Sequence, residues 1–328
     1  KKPSHTAQAD TPKPLYFCSL SKPSHFAEAP VAIITVSAVM VFISSITTWC
    51  GVLEKSTLYV TLEPCAHYGK TPPCSDLIIA NKIPRVVIGC LDEHEKVCGQ
   101  GISKLKAAGC DVIVGVLEKE CKNHHKRFFT YHSKKRPYII LKWAESKDGF
   151  IAPKNHTKPF WMTSSESKKL AHKWRAEEDA ILVGRITAEK DNPSLTVREV
   201  EGSNPIRIVI DKDLKLSADF NLFNNDAKTI VFNQLKSEEN NSNNYIKINF
   251  NNLTENILQE LRKQNIQSII IEGGTKTLQS FIDKNLWDEA RIFTTNKTLT
   301  EGVKPPAIEG EIISEDETGG DRFKILYV

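Results

Sequence analysis

Thr61-Leu-Glu-Pro-Cys65-Ala-His-Tyr-Gly-Lys-Thr-Pro-Pro-Cys74 is the stretch that decides how the first part of this chain folds. Its two cysteines lie nine positions apart, and each directly follows a proline. Thiolates are good zinc ligands, and a proline restricts the backbone that directs them. A strand-like run, Leu58–Leu62, precedes the stretch, and an apolar helical pattern follows it. This arrangement favours a zinc site at Cys65 and Cys74 over two buried free thiols.

The composition is that of a globular protein. A length of 328 residues suggests two domains. The net charge of +4 mixes both signs without a basic stripe that carries aromatic residues, so we expect no nucleic-acid partner. Eight cysteines without regular spacing do not indicate a disulfide framework. A reducing, cytoplasmic location with a metal site fits them better.

The segment from Pro30 to Leu53 carries no charged residue. Its length alone permits a membrane span, and the lysines upstream of it resemble the start of a signal peptide. We favour a buried strand and helix, because Ser, Thr and Cys residues interrupt the apolar run. We therefore expect no membrane association.

Strands alternate with helices over the remainder of the chain, which predicts an α/β fold with largely parallel sheets. The polar segment Ser133-Lys-Lys-Arg-Pro137 separates two patterned regions, and we place a domain boundary there. This gives an atypical N-terminal segment over residues 1–54, one domain over 55–136 and a second domain over 137–328. Glu118–Phe129 is predicted as a single helix, and Ser237–Asn244 is predicted as a loop.

The Cys65–Cys74 stretch resembles the zinc motif of the bifunctional deaminase/reductase family of riboflavin biosynthesis. Eight residues separate its cysteines, whereas two separate those of cytidine and nucleic-acid deaminases. The resemblance extends from roughly Lys55 to the end of the chain. It implies a cytidine-deaminase-like three-layer domain in which Cys65 and Cys74 hold Zn²⁺. In this family the zinc lowers the pKa of a bound water, and the hydroxide attacks the amino-bearing carbon of a pyrimidine.

The family also has a His-Ala-Glu unit about 25 residues before the first cysteine, which supplies the third zinc ligand and a proton-carrying carboxylate. Here that window holds Ala38-Val-Met-Val-Phe42, and the nearest candidates are His25 and Glu28. They are three positions apart instead of two, which still puts both side chains on nearly one face of a helix. His25 is thus the candidate third ligand, Glu28 the candidate proton carrier and His67 a pocket residue.

The similarity ends abruptly before about Ser45. A shifted reading frame, a gene-model error and genuine degeneration are explanations that the sequence leaves open. Two other functions stay open for the same reason: a reductase that keeps only the fold of the deaminase domain, and a zinc-stabilised nucleotide-binding regulator without turnover. The cysteine spacing disfavours a nucleic-acid-editing deaminase.

The second region resembles the reductase domain of the same family, which implies a dihydrofolate-reductase-like fold. Several motifs occur in the family's order, and this makes the resemblance more specific than any single motif. One departure is Lys147, where the family usually has an apolar residue. The motifs are Leu141-Lys-Trp-Ala-Glu-Ser-Lys-Asp-Gly149, Trp161-Met-Thr-Ser164, His172-Lys-Trp-Arg-Ala-Glu-Glu-Asp-Ala-Ile-Leu-Val-Gly184, Asp191-Asn-Pro-Ser-Leu-Thr-Val-Arg198, Pro205-Ile-Arg-Ile-Val-Ile-Asp211 and Ile271-Glu-Gly-Gly274.

The reductase resemblance assigns residues to an NADPH site and to a substrate site. A buried strand that ends in Gly273-Gly274 before a helix presents backbone N–H groups at a positive helix end, which suits a phosphate. Arg175 and Arg198 match phosphate-binding positions, since guanidinium groups grip phosphate with paired hydrogen bonds. Leu195 and Glu272 match the other substrate contacts. The matching cofactor positions are Ala144, Trp161, Thr187, Asp191, Gly274, Thr275, Lys276, Thr277, Leu278, Gln279 and Ser280.

The function expected from the resemblance is riboflavin biosynthesis in two steps. A Zn²⁺-dependent deaminase acts on a phosphoribosylamino-pyrimidine, and an NADPH-dependent reductase then converts its ribose into a ribityl chain. The partner is thus a small phosphorylated pyrimidine, and neither nucleic acid nor a membrane is involved. The protein is expected to be cytoplasmic and to form a homo-oligomer.

Overall fold

The computed structural model of the chain describes the backbone of residues 31–34 and residues 53–69, 71–93, 98–154, 160–240 and 242–328. The chain divides into two compact units, Lys1–Ser133 (unit 1) and Lys134–Val328 (unit 2). The division falls at the polar segment that begins at Ser133.

Unit 1 is a parallel sheet whose strands alternate with helices. Its described elements are β1 (Val31–Ile34), β2 (Thr57–Leu62), α1 (Cys74–Ala80), β3 (Arg85–Cys90), α2 (Gln100–Ala107), β4 (Asp111–Val114), α3 (Glu118–His124) and α4 (Lys126–Ser133). The strand order is β1-β2-β3-β4, and every neighbouring pair is parallel. Alternate residues of β2 are buried, whereas β3 is buried almost throughout, as expected for a strand covered on both faces.

The start of the uncharged N-terminal segment is a strand. Val31–Ile34 forms β1, which pairs in parallel with β2 from Val31 opposite Thr57. The rest of that segment lies outside the described residues, and so do His25 and Glu28. In the part of the chain that is described, no helix is both long enough and apolar enough to cross a bilayer.

The single helix predicted over Glu118–Phe129 is wrong, because two helices, α3 and α4, meet at His125. The ring of His125 contacts Phe129 edge-on, and its Nε2 forms a hydrogen bond of 2.8 Å with the Thr61 hydroxyl. These contacts tie the junction of the two helices to the end of β2, close to the cysteine stretch.

Unit 2 is built on one ten-stranded sheet. Its described elements are β5 (Tyr138–Glu145), α5 (Ser165–Glu177), β6 (Ala180–Gly184), α6 (Arg185–Asp191), β7 (Ile206–Ile210), β8 (Thr229–Asn233), β9 (Glu238–Glu239), β10 (Asn243–Lys247), α7 (Leu253–Lys263), β11 (Ser268–Ile271), α8 (Thr275–Ile282), β12 (Glu289–Thr294), β13 (Glu311–Thr318) and β14 (Asp321–Tyr327). The strand order is β13-β14-β12-β5-β11-β6-β7-β8-β10-β9. The strands from β12 to β10 in this order are parallel, and β14, β13 and β9 are antiparallel to their neighbours.

Helices cover both faces of the unit 2 sheet. Along β5, Ile139 and Leu141 belong to one apolar cluster with residues of α7 and α8. Tyr138 and Ile140 belong to the opposite cluster, together with Trp174 of α5. This double burial explains the almost continuous apolar runs of the central strands. The α/β prediction, with largely parallel pairing, is confirmed for both units.

Candidate active sites

The cysteine stretch folds back on itself at the carboxyl end of β2. Cys65 lies three residues after this strand, and Cys74 opens α1. The Cys74 N–H group donates to the Cys65 sulfur at 3.3 Å. The Ser75 N–H and hydroxyl groups both donate to the Cys65 carbonyl, at 3.1 and 3.0 Å. The two sulfur-bearing residues are therefore brought together by the start of one helix.

The two thiols influence each other's ionisation. The Cys74 thiol donates a hydrogen bond to the Cys65 sulfur, and this bond lowers the pKa of Cys65 to about 6, although partial burial acts against it. The same bond, together with burial, raises the pKa of Cys74. A sulfur that ionises near neutral pH beside a second thiol suits a metal that binds thiolates, so the pair fits two positions of a zinc site.

A third ligand is not found beside this pair among the described residues. No group of three His, Cys, Asp or Glu side chains in that part of the chain is close enough to hold a metal ion. His67 is exposed, and its charge contributes to the lowered pKa of Cys65. His25 and Glu28 lie outside the described residues, so their roles as ligand and proton carrier stay predictions.

Glu63, which lies inside the cysteine stretch, has a structural role that was not predicted from the sequence. Its buried carboxylate accepts N–H groups from Gly99, Gly101 and Ile102 at 3.0, 3.0 and 3.3 Å. A Cβ atom on Gly101 would lie 1.8 Å from the Pro64 carbonyl oxygen. The turn that carries Cys65 is thus fixed against the start of α2. Glu63 is the one acidic residue of the stretch from Thr61 to Cys74, and this was a usable signal.

Unit 2 has two adjoining cavities where β5, β6 and β11 end. Their volumes are about 300 and about 320 Å³. The carboxyl ends of parallel strands are the usual place for ligands in α/β sheets. Both cavities share part of their lining, so two bound molecules would meet there. The shared residues are Lys142, Phe160, Trp161, Thr163, Thr187, Asp191 and Glu272.

The first cavity brings together five of the predicted cofactor positions, Ala144, Trp161, Thr187, Asp191 and Gly274. The Thr187 hydroxyl accepts the Gly274 N–H group at 2.9 Å and so joins α6 to the turn before α8. This turn opens onto the first cavity, as expected for a backbone that approaches a phosphate.

The remaining predicted cofactor positions lie on α8, and several of their side chains contact protein. The Thr275 hydroxyl donates to the Lys304 carbonyl, and the Ser280 hydroxyl donates to Thr277. Gln279 accepts the Ala307 N–H group at 2.9 Å. Leu278 is fully buried, so its side chain cannot contact a cofactor. Lys276 is exposed. The start of α8, rather than its second turn, is therefore the part that fits a cofactor phosphate.

Three charged side chains that line the second cavity form ion pairs with one another. Arg175 is buried, and its Nη2 lies 3.1 Å from Glu272 Oε2. Lys142 Nζ lies 3.7 Å from Glu272 Oε1. Burial alone raises the pKa of Glu272, but Lys142 and Arg175 outweigh it and lower that pKa below its usual range. Glu272 is therefore an anion at neutral pH, held between two cations.

Arg198 and Leu195 lie on the loop that forms the opposite wall of the second cavity. Arg198 Nη1 donates to the Thr196 hydroxyl at 2.5 Å, and its backbone N–H group donates to His172 Nδ1 at 3.0 Å. Leu195 is buried with a φ of 52°, a left-handed backbone that is uncommon for a side chain of this size. All four predicted substrate residues therefore line one cavity.

Lys142 and His172 also line the second cavity, and neither was predicted as a site residue. Lys142 is the one charged residue in the apolar run from Tyr138 to Trp143, and this isolation was a usable signal. His172 stands inside a family motif without a role of its own. Its place in the second cavity becomes visible only when α5 is packed against the loop that carries Arg198.

Two family models match the chain. One, described as the RibD C-terminal domain, matches residues 137–319. The other, described as the cytidine and deoxycytidylate deaminase zinc-binding region, matches residues 17–90. The second match contains Cys65 and Cys74, and it also takes in residues 17–54, for which the sequence motifs alone carry no resemblance.

Similar proteins span both units. The riboflavin biosynthesis protein RibD of Aquifex aeolicus is 41% identical over 256 residues, which cover 76% of this chain and 71% of that protein. RibD of Synechocystis is 34% identical over 265 residues, with 78% and 71% covered. A crystal structure from Thermotoga maritima, a diaminohydroxyphosphoribosylaminopyrimidine deaminase/5-amino-6-(5-phosphoribosylamino)uracil reductase, has a TM-score of 0.75 at 35% identity and covers 83% of this chain and 79% of its own. Acinetobacter baumannii RibD has a TM-score of 0.74 at 26% identity, with 83% and 80% covered.

Proposed function

Because the chain belongs to the RibD family of riboflavin biosynthesis proteins, we propose that it carries out both steps named for the Thermotoga maritima relative. Unit 1 is a Zn²⁺-dependent deaminase that acts on the diaminohydroxyphosphoribosylaminopyrimidine. Unit 2 is an NADPH-dependent reductase that acts on the phosphoribosylaminouracil. The ribose of this second substrate becomes a ribityl chain.

The single observation that carries the reductase proposal is the shared lining of the two cavities. One cavity contains the Gly274 turn and Thr187, and the other contains Arg175 and Arg198. A dinucleotide at the first and a phosphorylated substrate at the second would meet at Lys142 and the other shared residues. Holding two reactants in contact in this way is a main source of rate enhancement.

The chain's own residues bind and orient the substrate. Arg175 and Arg198 hold the phosphate, since guanidinium groups bind phosphate with paired hydrogen bonds. Glu272 accepts hydrogen bonds from donor groups of the pyrimidine or sugar, and it keeps Arg175 in place at 3.1 Å. Opening of the ribose ring breaks the C1′–O4′ bond and leaves an imine between C1′ and nitrogen. As C1′ accepts a hydride, Lys142, which lines both cavities, donates a proton to that nitrogen. When bound, NADPH supplies the hydride.

The residues of the first cavity fit a cofactor of this kind. The Gly274 turn presents backbone groups at the start of α8, and the exposed indole of Trp161 offers a flat apolar surface. Ala144, Thr187 and Asp191 complete the site that we propose for NADPH. Of the predicted positions over residues 274–280, we propose that Gly274, Thr275 and Lys276, at the start of α8, lie beside the cofactor phosphate.

In unit 1, Cys65 and Cys74 fit a zinc ion as two of its ligands. When bound, the zinc supplies an activated water for attack on the pyrimidine. We propose His25 as the third ligand and Glu28 as the proton carrier, because both fall within residues 17–90, which match the deaminase zinc-binding region. A zinc content of one ion per chain that is lost in His25→Ala, together with loss of ammonia release in Glu28→Gln, would support this assignment.

We further propose that the protein is a cytoplasmic homo-oligomer. Six described cysteines are free thiols, and two of them are the proposed zinc ligands, which fits a reducing compartment. Cell fractionation tests the location, and the mass in solution from light scattering tests the oligomer. Recovery of the protein with secreted proteins would contradict the cytoplasmic location, and a mass in solution equal to one chain would contradict the homo-oligomer.

The experiment that tests the proposed function measures each step separately in the purified full chain. Ammonia release from the diamino substrate reports the deaminase, and NADPH oxidation with the phosphoribosylaminouracil reports the reductase. Both activities are expected. NADPH oxidation without ammonia release would leave a reductase with an inactive deaminase domain. The absence of NADPH oxidation would overturn the reductase and favour a regulator without turnover.

A further inference from the structure

His172 is a buried residue in the lining of the second cavity. It lies on α5 one turn before Arg175, its exposed fraction is 2%, and it lines the cavity with Arg175 and Arg198. Charged groups surround it: Arg175 on its own helix, Arg198 and Glu199 on the opposing loop, and Glu272 after β11. The imidazole of His172 therefore lies among the residues of the proposed phosphate site, and its role is still unassigned.

One hydrogen bond fixes the protonation form of this imidazole. The Arg198 backbone N–H group donates to His172 Nδ1 at 3.0 Å, so Nδ1 carries a lone pair. In a neutral ring the proton then lies on Nε2. Burial, followed by the charges of Arg175 and Arg198, lowers the pKa of His172 to about 4, so the ring is neutral at neutral pH.

The Nε2–H group of His172 is available to a ligand. Among the described residues, none accepts a hydrogen bond from this atom, while the side chain lines the cavity. The two arginines beside it are anchored through one residue. Arg175 Nη1 donates to the Thr196 carbonyl at 2.9 Å, and Arg198 Nη1 donates to the Thr196 hydroxyl. His172 holds the same short segment through the backbone of Arg198.

We propose that His172 is a further substrate-binding residue of the reductase, whose Nε2–H group donates to the substrate phosphate between Arg175 and Arg198. Its Nδ1 also positions Arg198 by accepting that residue's backbone N–H group. The proposal rests on the proposed reductase function. A neutral donor adds a hydrogen bond to the anion without placing a third cation beside the two arginines, which would repel both of them.

Two substitutions separate the two roles of the ring. His172→Asn keeps an acceptor near the position of Nδ1 but removes the donor at Nε2. His172→Gln keeps a donor near the position of Nε2 but removes the acceptor for Arg198. Both side chains are neutral, so neither change alters the charge of the site at neutral pH. Circular dichroism and thermal unfolding show whether each variant is folded.

The first measurement is steady-state reduction of the phosphoribosylaminouracil by the full chain. His172→Asn is expected to raise the substrate KM about tenfold to a hundredfold, the range for one lost hydrogen bond to a charged group, with little change in kcat or in the KM for NADPH. His172→Gln is expected to raise the substrate KM by less. A substrate KM within about twofold of wild type in folded His172→Asn would overturn the proposal.

The second measurement isolates the phosphate. The affinities of the reduced product and of its phosphatase-treated form are measured for three proteins: wild type, His172→Asn and His172→Gln. His172→Asn is expected to weaken binding of the phosphorylated product only. An equal loss for both forms would show that His172 merely packs against the cavity wall, which contradicts the proposal.

The third measurement follows the imidazole in the wild-type protein. A bound phosphate dianion favours the charged ring, so the pKa of His172 is expected to rise when the phosphorylated product binds. The NMR signal of its Cε1–H group, titrated with each form of the product, reports this change. A pKa that stays unchanged on saturation would contradict a contact with phosphate. If wild type shows no reductase turnover at all, the proposed function fails before this inference is reached.

Discussion

Arg175 shows how one side chain links the second cavity to the sheet beneath it. It is almost fully buried, it contacts Glu272 and Thr196, and its Nε has no hydrogen-bond partner among the described residues. A buried donor without a partner is costly, and it is easily explained where a ligand completes the site. The planar guanidinium group is therefore expected to be essential here, beyond its charge.

The substitution Arg175→Lys tests this expectation. Lysine keeps the positive charge but loses the paired hydrogen-bond geometry. We expect the KM for the phosphoribosylaminouracil to rise about tenfold to a hundredfold, with the KM for NADPH nearly unchanged. Arg262→Lys is the matched control, because Arg262 is exposed on α7, away from both cavities. Equal kinetics in Arg175→Lys and wild type would contradict the assigned role.

Glu63 is the residue on which the cysteine turn depends. Glutamine has one oxygen in place of two and places an NH₂ group among N–H donors. We therefore expect Glu63→Gln to lower the free energy of unfolding of unit 1 by about 1–3 kcal/mol. Urea unfolding followed by circular dichroism measures the change. The control is Glu54→Gln, whose exposed pair with Lys82 at 3.1 Å should contribute little. Equal stability of the two variants would contradict the structural role of Glu63.

What the sequence predicts at this scale follows from how local each interaction is. Cys65 and Cys74 are joined by a short turn, so their spacing and prolines were enough to predict the pair. Glu63 instead bonds to backbone groups 36 to 39 positions away, and His172 bonds to a loop 26 positions away. No local pattern encodes those distances, which depend on how the sheet is assembled.

At the scale of elements, the reductase site depends on two strand-to-helix turns that pack closely. A Cβ atom on Gly184, at the end of β6, would lie 2.6 Å from the Thr277 hydroxyl of α8. A Cβ atom on Gly273 would lie 2.9 Å from the Thr277 Cβ atom. Small residues in both turns thus let α6 and α8 start side by side beneath the first cavity.

A double-mutant cycle tests this packing. Gly184→Ala is expected to destabilise unit 2 by about 1–3 kcal/mol through the clash with Thr277. Thr277→Ala removes the clashing hydroxyl, so the double variant should recover part of that loss. Gly184 directly precedes α6, so an alanine there also slightly changes the stability of the helix start. This change is the same with Thr277 and with Thr277→Ala, and it therefore cancels in the coupling energy. Additive free energies of unfolding across the four proteins would contradict the contact.

Sequence patterns failed at both edges of the large sheet. The loop predicted over Ser237–Asn244 is wrong, because it contains β9, at one edge, and the start of β10. At the other edge lies β13, which was not predicted. In β13, seven of eight residues are exposed, so the strand lacks the apolar alternation that marks a half-buried strand. The seven-residue helix α6 begins directly after β6, so no loop with a helix-capping residue marks its start in the sequence. The buried strand before Gly273-Gly274, which is β11, was predicted because burial on both faces requires a continuous apolar run.

At the scale of the whole molecule, two chemistries are assigned to two separately organised units. Loss of the metal should therefore affect only one of them. Cys65→Ser is expected to abolish zinc binding and ammonia release, while NADPH oxidation with the deaminated substrate stays within about twofold of wild type. Cys110→Ser, a change of a free thiol in the same unit, serves as the control. Equal loss of both activities in Cys65→Ser would contradict this separation.

Acid should destabilise both units through two imidazoles, the half-buried His125 and the buried His172. Burial is the main cause that lowers the pKa values of His125 in unit 1 and His172 in unit 2 to about 4. The unfolded chain, with a histidine pKa near 6.5, binds these protons first, so the free energy of unfolding falls as the pH drops from about 6.5 towards 4.

Urea unfolding at a series of pH values measures this slope. His125→Phe is expected to flatten the part of the slope that belongs to unit 1. A slope that is identical in wild type and His125→Phe would show that the native ring takes up its proton as readily as the unfolded chain.

The central claim is that NADPH and the phosphorylated substrate meet where the two cavities share Lys142, Thr187 and Glu272. The most direct measurement follows a deuterium label from the nicotinamide of NADPH into the product by mass spectrometry. We predict that the full chain transfers the label to C1′ of the ribityl chain, and that the Arg175→Lys variant does so only at much higher substrate concentration. A product without deuterium at C1′, or no NADPH-dependent product, would contradict the claim.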